Sequence, residues 1–353
     1  MSATALKTEA PALTAKPPRA AIKSRSWRTL GLVIALAALA LVAVLSISVG
    51  ARPIPFNEVL SGLFNPSGTE ADIIIGESRL PRTVVGLIVG AALGVAGALI
   101  QSLTRNPLAD PGILGVNAGA AFAVVLGVAL FGVTSIMGYI WFAFAGAIIA
   151  TFAVYLIGAG GRGPINPVRL TLAGVALGAV LQGVSTGISL LNPEAFNRMR
   201  FWGAGSLANR DLEMAWVILP FIAVGIVIAF AVSGSLNTIA LGDDTATSLG
   251  TNVNRTRLFT VIAVTLLCGA ATAAAGPIGF VGLMIPHVAR WIVGPDQRWI
   301  FAYSIVLAPA LLLLSDVIGR VITPGELQVG IVTAFVGAPV LIALVRRKKV
   351  SGL

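Results

Sequence analysis

The sequence predicts an all-α polytopic membrane protein of ten transmembrane helices, and three observations predict it. The 353 residues are 57% hydrophobic and 11% charged, against about a quarter charged in a soluble chain. The apolar residues gather into runs near 30–50, 81–103, 113–132, 138–158, 168–191, 215–233, 257–275, 277–293, 300–321 and 328–345, each suited to a bilayer-crossing helix. The basic residues then sort by side. With both termini inside, the inner segments hold 17 of the 24 lysines and arginines and the outer segments 7, the positive-inside bias. The eighth run is short and carries Pro277 and Pro286, but removing it would place RRKK (346–349) and Arg320 on the wrong sides.

Taken in order, residues 1–26 form a Pro/Ala/Lys tail without hydrophobic period, read as a disordered cytoplasmic segment. The run Leu30 to Val49 lacks a convincing cleavage site and reads as a retained first span. The ten-span body covers 27–347, and 348–353 form a short cytoplasmic tail. The long outer pieces are 51–80 and 192–214. Spans two to five and seven to ten are offset by five helices, and an odd offset makes them inverted repeats. PGILGVNAG (111–119) and GPIGFVGLM (276–284), which follow spans two and seven, are faintly alike.

Gly86, Gly90, Gly94 and Gly97 in span two, and Gly174, Gly178, Gly183 and Gly187 in span five, predict close helix packing, with a pore of bare backbone as the alternative. Gln182, Ser185 and Thr186 lie mid-span; a polar side chain in lipid needs a neighbouring helix or a wet cavity, and either would serve.

One polar stretch, Asn237 to Arg257, separates two apolar runs on the inner side. Thr238–Leu241 and Thr245–Leu249 read as two short helices, ended by Gly242 and Gly250. Asp243 and Asp244 would cap the second. Leu241, Ala246 and Leu249 would give the pair an apolar edge for a groove on a partner. An ordinary polar loop is the alternative.

What is missing also constrains function. All five lysines lie in the tails, so there is no GxxxxGK[ST] phosphate-binding loop. Only Asp316 is an acid within a span, near its outer end, whereas ion-coupled carriers use intramembrane Asp, Glu or His relays. His287 has no second ligand nearby and reads as structural, and Cys268 as a small hydrophobe, so no metal site is expected. The net charge of +10 belongs to topology rather than to nucleic-acid binding. The chain reads as a conduit whose motor is a separate protein, with an ion-coupled secondary transporter as the alternative.

RLPRT (79–83), TRNPLADPGILGVNAGA (104–120), RLTLAGVALGAVLQG (169–183), LGDDTATSLG (241–250), GPIGFVGLMIPHVAR (276–290) and PGELQVGIVTAFVGAPV (324–340) resemble the iron-chelate and vitamin B12 permease family of ABC importers. LLNPEAFNRMRFWGAGSL (190–207), HVARWIVGPDQRW (287–299) and SDVIGRVITPGEL (315–327) are most similar to its ferric enterobactin permease subunits. The resemblance covers roughly 50–347 and implies a type II ABC importer permease fold in the cytoplasmic membrane. It implies an ABC ATPase dimer carrying ATP and Mg, an external substrate-binding lipoprotein or periplasmic protein, and a second permease subunit in a heterodimer or homodimer. This chain itself would be no enzyme and bind no cofactor.

The resemblance places ATPase coupling on Leu241, Gly242, Asp243, Asp244, Thr245, Ala246, Thr247, Ser248, Leu249 and Gly250. It places binding-protein docking on Arg79, Arg82 and Arg320, although Arg320 could also pair locally with Asp316 and Arg79 and Arg82 could simply snorkel. Asn106 and Leu108 match the inner gate region, while Asp110 reads as a turn or cap residue. The second gate position reads Asn166-Pro167 here, where the B12 permease has small hydroxyl residues. With Gln182 in the pathway, the implied cargo is a ferric siderophore; vitamin B12 or haem is the alternative. Arg198, Arg200 and Arg210 at the outer mouth would steer an anionic chelate.

Overall fold

The structure is a computed structural model that describes residues 25–50, 52–133, 135–159, 167–323 and 325–346. The tails and Asn166 lie outside the described residues. Helix α1 (Arg25–Ser48) leads to a short outer helix α2 (Phe56–Phe64). A continuous helix then runs from Glu70 to Thr104: α3 (Glu70–Ile73), a π turn (Ile74–Arg79) and α4 (Leu80–Thr104). After a 3₁₀ turn (Pro111–Leu114) come α5 (Val116–Phe131), α6 (Ile136–Ala159), α7 (Pro167–Leu191) and an outer helix, α8 (Pro193–Trp202). The second half holds α9 (Leu212–Ile239), α10 (Asp243–Ser248), α11 (Val253–Ala275), α12 (Val281–Val293), α13 (Gln297–Val321) and α14 (Val329–Arg346).

Each of the ten hydropathic runs thus carries a helix. Seven are long and apolar enough to cross a bilayer: α1, the Glu70–Thr104 helix, α6, α7, α9, α11 and α13. The other three, α5, α12 and α14, are shorter. At 1.5 Å per residue, α5 and α12 span roughly 24 and 20 Å, short of the ~30 Å hydrocarbon core. Non-helical backbone makes up the difference, and it is tolerated at such depth only under protein cover. Ala109, Pro111 and Leu114 before α5, and Gly276 and Ile278 before α12, are buried accordingly.

Helix contacts follow the five-helix offset. The first helices of the two sets, α4 and α11, pack together. Helix α4 packs on α12 and α13, and α11 on the corresponding α5 and α6. The two similar glycine motifs also meet, since Gly282 lies against the Leu93 carbonyl and the Pro111 ring. This reciprocal pairing fits two structural repeats.

Glycine packing separates two kinds of face. A Cβ on Gly90 would strike the backbone at Pro309, one on Gly94 would meet Ala308 and Ser304, and one on Gly97 would overlap the Gly282 carbonyl. Gly174 is equally tight against Ile113. Gly183 and Gly187 have nothing within 4 Å, so close packing within the chain, expected for all eight, does not extend to the outer half of α7. Replacing Gly97 by Ala should force α4 and α12 apart and cost about 1–3 kcal/mol, as overpacking does. Gly183→Ala should leave the melting temperature of the purified protein unchanged or raise it. Equal melting of the two variants would refute the assignment.

Candidate functional site

At the end of the bundle that carries α10, the stretch around Asp243 is simpler in helices and richer in charge contacts than the sequence implies. Thr238 belongs to the last turn of α9, so the first of the two expected short helices is the continuation of a span. Only α10 stands apart, between Gly242 (φ +112°) and Gly250 (φ +83°), both in a backbone region that favours glycine. Gly242 is its N-cap and makes no side-chain cap bond, so the capping role expected of Asp243 and Asp244 is not found. Both acids still oppose the helix dipole from the first turn.

Asp243 is instead an ionic hub. Its carboxylate accepts from Nη2 of Arg257 at 2.8 and 3.1 Å and forms an ion pair with Arg105. Arg257 is 2% exposed on α11. Arg105 ends α4 in the left-handed region (φ +49°) and opens the loop that carries Asn106 and Leu108. In that loop the Asn106 side chain accepts from the Leu108 N–H at 3.0 Å, and Asp110 Oδ1 accepts from Gly112 N–H at 2.8 Å. Asp110 is therefore the cap that its place before Pro111 suggests. Asp243 ties the projecting helix to the loop that follows α4 and to α11 at once. The apolar edge is also divided: Leu241 and Leu249 are 65% and 62% exposed, while Ala246 is buried inward.

At the outer face, Arg79, Arg82 and Arg320 do come together, but they point inward. All three are buried. Arg82 donates to both oxygens of fully buried Asp316 at 2.8–3.1 Å, and through Nη1 to Glu326 at 2.9 Å. Arg320 pairs with Asp316 at 3.2 Å and donates to the Ser46 carbonyl and hydroxyl at 2.8 and 3.0 Å. Arg79 donates to the carbonyls of Ile47 and Ser48 at 2.8 and 2.7 Å, and to that of Arg52. The last carbonyls of a helix lack partners within it and carry its negative dipole end. Two arginines meet that need at the end of α1. The Asp316–Arg320 contact foreseen at i, i+4 exists, but as a buried pair rather than an exposed one. Sequence reasoning missed Glu326 and Ser46 as members; neither has a local pattern that marks it.

Two clefts, each about 530 Å³, open between these faces. Arg82, Tyr139, Arg198, Arg210 and Glu326 line the first, and Asn117, Gly178, Gln182, Thr186 and Arg200 the second. Trp202 lines both. The three outer arginines therefore divide between two sites. Arg210 is 8% exposed, and burial pushes its pKa down to about 10, so it remains charged at neutral pH. Gln182 is exposed and donates to Thr186 on its own helix at 3.5 Å, not to a neighbouring helix. Pro167 opens α7. His287 is buried with its ring edge-on to Trp291, a packing role.

Residues 38–347 match the FecCD transport family. The chain belongs to the FecCD family. It is 54% identical over 308 residues to the ferric enterobactin transport system permease protein FepD of Escherichia coli (strain K12), covering 87% of this chain and 92% of that one. It is 39% identical over 293 residues to the probable siderophore transport system permease protein YfiZ of Bacillus subtilis (strain 168), covering 83% and 88%. Among solved structures, a metal-chelate type ABC transporter in an inward-facing conformation superposes with a TM-score of 0.79 at 26% identity, over 91% of this FecCD chain and 99% of that one.

Proposed function

We propose that this chain is a membrane permease subunit of an ATP-binding-cassette importer for a ferric siderophore. FecCD membership with 54% identity to a ferric enterobactin permease carries that reading. A separate ATPase supplies the energy, and an external binding protein delivers the chelate. The positive-inside count supports a multi-pass inner-membrane protein of ten spans with both termini in the cytoplasm.

The site geometry supports a route for the work. The ATPase takes hold of α10 through Leu241 and Leu249, which no part of the described chain covers. Asp243 passes that motion to Arg105 and the Asn106–Leu108 loop, which with Asn166 and Pro167 forms the inner gate. Helices α7 and α14, with Val180, Val184 and Phe335 exposed, face the second permease subunit, and Gln182 and Thr186 line the pathway between the two. A cleft of about 200 Å³ lined by Arg79, Arg82, Arg320 and Glu326 offers a carboxylate of the binding protein a way to the arginine cluster. The binding protein docks on Arg79, Arg82 and Arg320 through that cleft. Arg198 and Arg210 draw the anionic chelate toward the mouth.

Proteoliposomes test this reading. Chelate uptake should require the ATPase and ATP, and should survive collapse of the membrane potential. Uphill uptake by the permease alone, or loss of uptake with the potential while ATP remains, would overturn it.

A further inference from the structure

A third cleft, of about 520 Å³, lies between the inner halves of α9 and α11, away from the Gln182 cleft and from the gate loop. Its wall changes character along its length. Val227, Ala231 and Val232 of α9 line one end, and Thr251, Asn252 and Arg255 the other. From Val227 to Ser235, eight residues along α9, is about 12 Å, the length of a partial acyl chain lying along a span. Val227 is 67% exposed, so this end opens sideways rather than into the protein.

The polar end is cationic and uncompensated. Arg255 is exposed, and no carboxylate pairs with it among the described residues. Its guanidinium stands over the Phe259 ring, 5.6 Å from the centroid, which holds it at the mouth of the groove. The neighbouring Asp243 is engaged by Arg257 and Arg105 and does not neutralise it. A groove that is apolar toward the bilayer centre and cationic at the inner surface matches one class of molecule, an amphiphile with an anionic head.

We propose that the α9–α11 groove binds one anionic phospholipid of the inner leaflet. Its phosphate lies on Arg255 beside Asn252 and Thr251, and one acyl chain runs along Val227, Ala231 and Val232. The proposal rests on the inside orientation of residues 240–256 but not on the transport reading, because lipid binding is measured on the permease alone.

The experiment uses the full-length permease in detergent, with native mass spectrometry and thermal melting. The probes are phosphatidylglycerol, phosphatidylcholine with the same acyl chains, and inorganic phosphate. Phosphatidylglycerol should be retained in preference and raise the melting temperature, and phosphate should do neither. Arg255→Gln should weaken retention on the order of tenfold, the loss of one charge-assisted contact, and Arg255→Lys should recover most of it. Val232→Trp, which fills the groove with Arg255 intact, should also lose the lipid. Equal retention of the two lipids, an equal effect of phosphate, or undiminished binding by Arg255→Gln would overturn the proposal. So would loss of ATPase attachment in both variants with lipid retention unchanged, which would assign the groove to the protein partner.

Discussion

Asp316→Asn should be the most destabilising single change in this chain. The carboxylate is fully buried and is shared by Arg82 and Arg320, themselves almost out of solvent. Taking away its charge leaves buried Arg320 without a carboxylate and Arg82 with only half-exposed Glu326, and breaking a buried pair in this way costs about 3–5 kcal/mol. Arg79 and Arg320 also hold the end of α1 to the Glu70–Thr104 helix and to α13 through the carbonyls of Ser46, Ile47 and Ser48. The damage should therefore appear as loosening of α1, with low yield and a large fall in melting temperature in detergent. Glu326→Gln provides the comparison. It removes the half-exposed partner of Arg82, and pairs open to solvent contribute about 0–1 kcal/mol. If Asp316→Asn melted like Glu326→Gln, the network would not be structural.

The second large effect concerns energy transfer. Asp243→Ala removes the one side chain that, among the described residues, forms ion pairs from α10 both to the end of α4 and to α11. Its partner Arg257 is buried while Asp243 is 36% exposed, so the contact is stronger than a fully exposed ion pair although solvent screens part of it. In proteoliposomes holding the complete importer, ATP hydrolysis should continue while chelate transported per ATP falls by about tenfold, the equivalent of ~1.4 kcal/mol of lost coupling. Asp243→Glu should restore part of it. Asp244→Ala, at an exposed position with no ion pair among the described residues, should transport nearly as well as the unmodified protein. Equal transport by the Asp243 and Asp244 alanine variants would reject the hub.

These two residues show where sequence reasoning stops. Asp243 is legible as one of two adjacent acids in a polar segment between apolar runs, and its place after Gly242 invites a capping role. Capping is a local rule, and here the long-range partners Arg105 and Arg257 outcompete it. Arg79, Arg82 and Arg320 are legible as outer-face cations because charge there is rare. The i, i+4 spacing offers Arg320 its pair with Asp316, but nothing in the spacing reveals that Arg82 shares that carboxylate or that the end of α1 absorbs Arg79 and Arg320, since those contacts bridge 31 to 274 positions of chain. The glycines divide for the same reason. Gly97 and Gly183 look alike in their helices, and only the presence of Gly282 opposite one of them makes it indispensable.

By itself the amino-acid order determined what lipid and water enforce one residue at a time: apolar lengths, the side on which cations remain, the absence of a nucleotide loop, and the motifs of the family. Those are additive preferences, readable without knowing what lies opposite. The tertiary structure alone decided which cations are spent inside, which glycine faces are closed, and which acid links α10 to the α4–α5 loop. Each of those depends on a partner from a distant part of the chain, and burial sets the strength of the contact only once the two have met.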